Sequence, residues 1–190
     1  MKQNPYNEQD ADRCEIWDML VSRDINAYCH ADWSKVENDF VTSEFFAINA
    51  NKNPDPSRWT LSFSSLDLYR DEWLRQAQHS QQTDYAECLE EAIHRATTLN
   101  EITIDGDRAL ARKQFNGAIK RRDNENEVLL WQTLYYLKRT IKGWKICGFT
   151  GYLPLHSITN NRSLQAVYLV KTDIKKPSVM LGFLLIKDKQ

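Results

Sequence analysis

The chain has 190 residues, enough for one domain with an internal core. Its 25 basic and 26 acidic residues leave a formal net charge of −1, which excludes a field that draws nucleic acid or an anionic membrane. No apolar run reaches the roughly 18 residues of a membrane span, and with four scattered cysteines and no signal sequence a soluble, cytoplasmic protein with reduced thiols is expected.

In chain order, residues 1–9 are polar and read as a loose N-terminus, with the domain running over 10–154. Asp10 and Asp12 are N-cap candidates for a helix from about Ala11 to Ala31. At 100° per residue, Trp17, Leu20, Val21, Tyr28 and Ala31 share one arc, and Asp24 falls near its centre. Asp32 caps a second, short helix with Val36 and Phe40 turned inward, and Glu44 to Asn49 alternates as a short strand. Pro54 and Pro56 mark a loop. Ser65 or Asp67 starts another helix, broken by the polar stretch Gln78 to Thr83. Asp84 to Ala96 fits either a short helix or a lead into a strand.

Asp105-Gly106 between alternating segments predicts a type I′ hairpin, in which both central residues take positive φ. The strand after it runs to about Lys120, turns through Asp123 to Asn126, and returns as Trp131 to Leu137. A third turn at Lys142-Gly143 leads into a strand ending near Leu153-Pro154, so the back half is an antiparallel meander of four strands. Residues 155–190 change character, with apolar runs at Leu164 to Val170 and Val179 to Ile186. They read as an extension, either a hairpin added to a sheet edge or an arm onto a partner.

Three stretches carry a family resemblance: His30-Ala-Asp-Trp-Ser-Lys-Val36 after the first helix, Ile104-Asp-Gly-Asp-Arg-Ala-Leu-Ala111, and Trp131-Gln-Thr-Leu-Tyr-Tyr-Leu137 with Gly143-Trp-Lys-Ile146. Together with the element order they resemble the nuclear transport factor 2-like superfamily, and within it the SnoaL-like branch. The resemblance covers roughly residues 10–154. It implies an α+β fold, a curved antiparallel sheet wrapped as a cystatin-like cone around N-terminal helices, with a pocket between them and dimerisation through the outer sheet face. Members of that superfamily include cyclases, isomerases, epoxide hydrolases, dehydratases and non-catalytic modules, so fold alone assigns no activity.

Asp24 is the leading candidate for chemistry. A carboxylate on a buried helix face either pairs with a cation of the sheet or has a raised pKa and serves as a general base. Tyr28, one turn on, is the candidate hydrogen-bond donor to a developing oxyanion; otherwise it is a core tyrosine bonded to backbone. Arg112 and Gln114 share a strand face with Leu110, opposite Ala109, Ala111 and Phe115. If the Leu110 face is concave, Arg112 pairs with Asp24 or holds an anionic substrate; otherwise it lies in solvent or at a dimer interface. Trp17, Trp131, Tyr135 and Trp144 are expected to line a cavity for a flat apolar ligand, with Leu130, Leu134, Tyr136, Cys147 and Phe149 on the outer face.

His30, His79, His94 and His156 are too dispersed for a local metal motif, His94 being the one considered for a pocket. No phosphate loop or nucleophile elbow occurs, so neither metal nor cofactor is expected. The reading is thus a homodimer binding a small, mainly apolar organic molecule, with cofactor-free isomerase, cyclase or dehydratase chemistry. The alternative is a non-catalytic interaction module with a filled pocket.

Overall fold

The computed structural model describes residues 2–155; the expected runs at Leu164 to Val170 and Val179 to Ile186 lie outside them. The N-terminal residues, expected to be loose, are tied to the domain. Asn7 caps the turn Glu8–Asp10, the Asn4 amide donates to the Cys14 carbonyl, and the Tyr6 hydroxyl donates to the Asn100 carbonyl.

The first helix is continuous but not uniform. It is α-helical over Ala11–Trp17, π-helical over Asp18–Arg23 and α-helical again over Asp24–Cys29, with Asp10 capping its start. The π stretch adds a residue to the turn, and apolar side chains become buried around much of the circumference: Ile16, Trp17, Met19, Leu20, Val21, Ile25 and Tyr28. The segment after it, expected as one short helix, is two 3-10 turns, Trp33–Lys35 and Glu37–Asp39, the former capped by Asp32. The next helix, Leu66–Gln82, starts at the Ser65 cap and runs through the polar stretch expected to break it. Glu72 with Arg75 and the face bearing Trp73, Gln76, Ala77 and Ser80 hold it in register. A short helix, Leu89–Ala96, then leads directly into the sheet.

The sheet has six strands in the order β2-β1-β6-β5-β4-β3. They are β1 Phe46–Asn49, β2 Thr60–Phe63, β3 Thr97–Asp105, β4 Arg108–Ile119, β5 Glu127–Thr140 and β6 Gly143–Leu153. β3 to β6 form the expected antiparallel meander, while β1 joins β6 in parallel and β2 pairs back on β1. The result is a curved, unclosed α+β cone whose inner face packs on the helices.

Two details of the ribbon depart from the expectation. In the β3–β4 hairpin the two loop residues are Gly106 and Asp107, and only Gly106 has positive φ (+56°), the arrangement of a turn with glycine at its first central position. In β6, Tyr136 pairs with Gly148 and Leu137 with Ile146, so Cys147 is an extra residue. Such a bulge changes which side the following residues face. It carries Phe149, expected outside, into the core against Phe45, Tyr69 and Tyr135.

Candidate functional site

Asp24 sits at the exit of the π stretch, and its backbone N–H reaches back to the Met19 carbonyl. Its carboxylate receives a hydrogen bond of 2.6 Å from the Lys113 ammonium. Lys113 lies on β4 between Ala111 and Phe115, in the inward row, and its side chain has no solvent exposure, whereas that of Asp24 keeps 23%. The ammonium also lies 5.1 Å from the Phe115 ring centroid. A fully buried ammonium is stable only because this carboxylate completes it.

Asp39 faces the same space from the end of the 3-10 turn Glu37–Asp39. It is only 3% exposed. One carboxyl oxygen pairs with Arg23 at 3.0 Å, and the other, Oδ2, is buried with no hydrogen-bond partner among the described residues. Burial pushes its pKa up to about 6, against the opposing pull of Arg23 and Lys145. Asp39 is therefore the group here whose proton moves near neutral pH.

Asp24 and Asp39 line a cleft together with Tyr69 and Tyr135 and the apolar side chains Met19, Leu20, Val36, Phe40 and Ile146. Its volume is about 10 Å³, room for about one water molecule. Burial raises both phenols well above their usual range, so they stay protonated. Tyr69 is fixed by rings on several sides, with centroids of Phe149 at 5.1 Å and Phe45 at 5.3 Å.

Of the residues expected at the site, Asp24 and Tyr135 meet at this cleft and the others go elsewhere. The Tyr28 hydroxyl bonds Ser80 Oγ at 2.8 Å under the edge of Trp73, in a layer between helices. Trp17 is buried in the core. Trp131 stacks between Phe115 and Tyr152, with Lys52 over its ring. Trp144 packs on the start of the first helix, its indole N–H donating to Asp12 and its backbone N–H to Glu15.

Arg112 and Gln114 are on the outer face with Leu110; Arg112 pairs with Glu101 at 2.8 Å, and both reach Gln132. Arg112 is thus on the opposite side of the sheet from Asp24, and Lys113 takes the place of the sheet cation. His94 is buried on the short helix, 3.9 Å from Glu90, and desolvation lowers its pKa. Among the described residues no group of three or more His, Cys, Asp or Glu is placed to hold a metal ion, and no helix is long and apolar enough to cross a membrane.

Lys113, Asp39 and Tyr69 were not singled out from the sequence. Lys113 had a signal: it interrupts the period-2 apolar row Ala109, Ala111, Phe115. Asp39 had a weaker one, lying three residues after inward-facing Val36. Tyr69 had none beyond its place in an amphipathic helix.

No family model matches the chain, and no curated protein does. Solved structures do. A nuclear transport factor 2-like superfamily protein from Salmonella enterica serovar Typhimurium is 14% identical over 80% of this chain and 98% of its own, with a TM-score of 0.51. A protein with a cystatin-like fold from Novosphingobium aromaticivorans is 14% identical over 84% of this chain and 90% of its own, with a TM-score of 0.46. The chain has the nuclear transport factor 2-like fold, the α+β cone anticipated above. Identity at this level speaks to fold alone.

Proposed function

We propose that the protein binds a small, mainly apolar organic molecule between the first helix and the sheet, and moves a proton on it without a cofactor. That chemistry is an isomerisation, cyclisation or dehydration of the SnoaL-like kind. The observation that carries this reading is the unpartnered oxygen of Asp39, buried in an aromatic cleft beside Asp24. A protein that leaves a buried acceptor unmade forgoes about 1–3 kcal/mol, and a group titrating near neutrality in a cleft marks a site candidate. Asp39 exchanges the proton, Asp24 is held in its ion pair by Lys113, and Tyr135 and Tyr69 supply hydrogen bonds to oxygen. Tyr28, bonded to Ser80, braces the helix that carries Asp24. The protein works in the cytoplasm as a homodimer, with the ligand on the inner side of the sheet.

The test is a thermal-shift screen of apolar fragments on wild type and Asp39→Asn. A ligand raises apparent stability according to its affinity. Hits that stabilise wild type and lose effect in Asp39→Asn support the site. Where a hit is turned over, Asp24→Asn is assayed with Lys113→Met in the same chain, so that no buried charge is left alone. Full activity in the folded double variant and in Asp39→Asn would sink the acid–base role.

A second reading, a non-catalytic interaction module, is favoured by the closed Asp24–Lys113 pair and by a cleft of only about 10 Å³. A screen in which no fragment stabilises the protein decides for it.

A further inference from the structure

We propose that the ligand presents an uncharged hydroxyl group to this cleft and donates its proton in a hydrogen bond to the free oxygen of Asp39. The proposal rests on the ligand-binding reading above and names the chemical class that the site takes.

Three observations converge on that class. The first is the orphan atom. Asp39 Oδ1 is occupied by Arg23 at 3.0 Å, while Oδ2 is buried with no partner among the described residues, and Asp39 is one of the residues that line the cleft. It asks for a donor. A ketone, ether or ester, which only accepts, sets lone pair against lone pair there.

The second is charge. Each carboxylate already has its cation, Asp24 with Lys113 at 2.6 Å and Asp39 with Arg23. An ammonium ligand would add a buried positive charge to a balanced set, and a carboxylate ligand a negative one facing two carboxylates. Either is penalised by desolvation that no remaining counter-charge offsets. An uncharged donor is not.

The third is the match of size and of acceptor capacity. About 10 Å³ takes one oxygen with its hydrogens and no ring. Only the hydroxyl of the molecule therefore enters; of the apolar lining, Phe40 keeps exposed surface for its body, while Leu20 and Ile146 are buried beneath. A hydroxyl oxygen that donates to Asp39 still has lone pairs, and Tyr69 and Tyr135, kept protonated by burial, line the cleft as donors to them. A group that donates once and accepts once or twice satisfies every polar function at this place.

The experiment uses a series that shares one six-membered carbon ring: cyclohexanol, cyclohexanone, cyclohexylamine and cyclohexanecarboxylate. Each is titrated into the full chain at about pH 7.5, where Asp39 is mostly ionised, while the methyl resonances of Leu20 and Ile146 are followed. Cyclohexanol is expected to bind at least about tenfold more tightly than the other three, the worth of one well-made hydrogen bond. Its affinity is expected to fall as the pH is lowered through about 6 and Asp39 gains a proton. This second readout needs no variant and so does not depend on how Asp39→Asn folds.

Equal or tighter binding of the ketone, the amine or the carboxylate would overturn the hydroxyl assignment and leave the ligand-binding reading standing. An affinity for cyclohexanol that does not change with pH would also overturn it, because Asp39 would then not be the acceptor. If none of the four probes moves either methyl, the cleft holds water only, and both this inference and the ligand-binding reading fail.

Discussion

Lys113 and Asp24 share their ion pair unequally. The lysine side chain is fully buried and the aspartate keeps 23% of its surface, so the two truncations have different consequences. Asp24→Asn strands an ammonium in the core and is expected to cost about 3 kcal/mol or more, whereas Lys113→Met leaves a carboxylate that water still reaches and should cost about 1 kcal/mol. The double variant is expected within about 1 kcal/mol of wild type, and urea unfolding of the four proteins closes the cycle. Equal losses from the two single changes would contradict the assigned burial.

Two other carboxyls set a pH dependence. Burial raises Asp39 to about 6 and Glu127, whose Oε2 accepts from Tyr85 at 2.9 Å while Oε1 is unpartnered among the described residues, to about 7. A carboxyl whose folded pKa lies above its unfolded one binds protons more tightly in the folded state. Its stabilisation is complete below the unfolded value of about 4 and is lost as pH rises through the folded value. These two carboxyls therefore contribute a fall in stability between about pH 4 and 7, which the lowered pKa of His94 opposes toward the upper end. Glu127→Gln should remove its share of that slope between about pH 4.5 and 7. A stability profile in which wild type and Glu127→Gln run parallel over that range would refute the Glu127 contribution.

At the scale of elements, what could be read in advance were the features that repeat. The apolar arc of the first helix and the alternation along β4 to β6 recur every 3.6 or 2 residues, so element type and order emerge from pattern. What could not be read were single-residue insertions into those patterns. No residue type announces the π stretch Asp18–Arg23 or the Cys147 bulge, yet the bulge turns Phe149 inward. The two faces of β4 look alike in sequence because Leu110 and Ala111 are both apolar; Lys113, counted in its row, settles which face needs a carboxylate partner. Tyr28 was expected beside Asp24, but one turn leaves the two about 40° apart. That offset sends the phenol to Ser80 and the carboxylate to the sheet. The joint of β1 and β6 gives a test at this scale. A Cβ on Gly148 would lie 2.4 Å from the Phe46 carbonyl oxygen and 3.0 Å from the Phe46 ring, which stacks on Tyr136. Gly148→Ala must push the parallel strands apart and is expected to cost about 1–3 kcal/mol, read as a lower midpoint of thermal unfolding. An unchanged midpoint would mean that β1 is not packed this closely.

At the scale of the molecule, the two faces of the sheet are made for different tasks. The inner face closes on the helices and holds the cleft; the outer face keeps Leu110 46% and Val128 60% exposed, on either side of the polar group Arg112, Glu101 and Gln132. Apolar side chains flanking paired charges suit a self-complementary contact, in which each residue meets its counterpart across a twofold axis. The expected outcome is a dimer at micromolar concentration in sedimentation equilibrium, shifted toward monomer by Leu110→Glu, which places like charges together at that axis. A monomeric wild type would remove the dimer, and a Leu110→Glu variant with wild-type mass would move the contact off this face. Because Leu110 and the cleft lie on opposite sides of β4, the same variant separates assembly from binding. Its affinity for cyclohexanol should match wild type if the site is complete within one chain, and fall with dissociation only if the second copy holds the cone in shape.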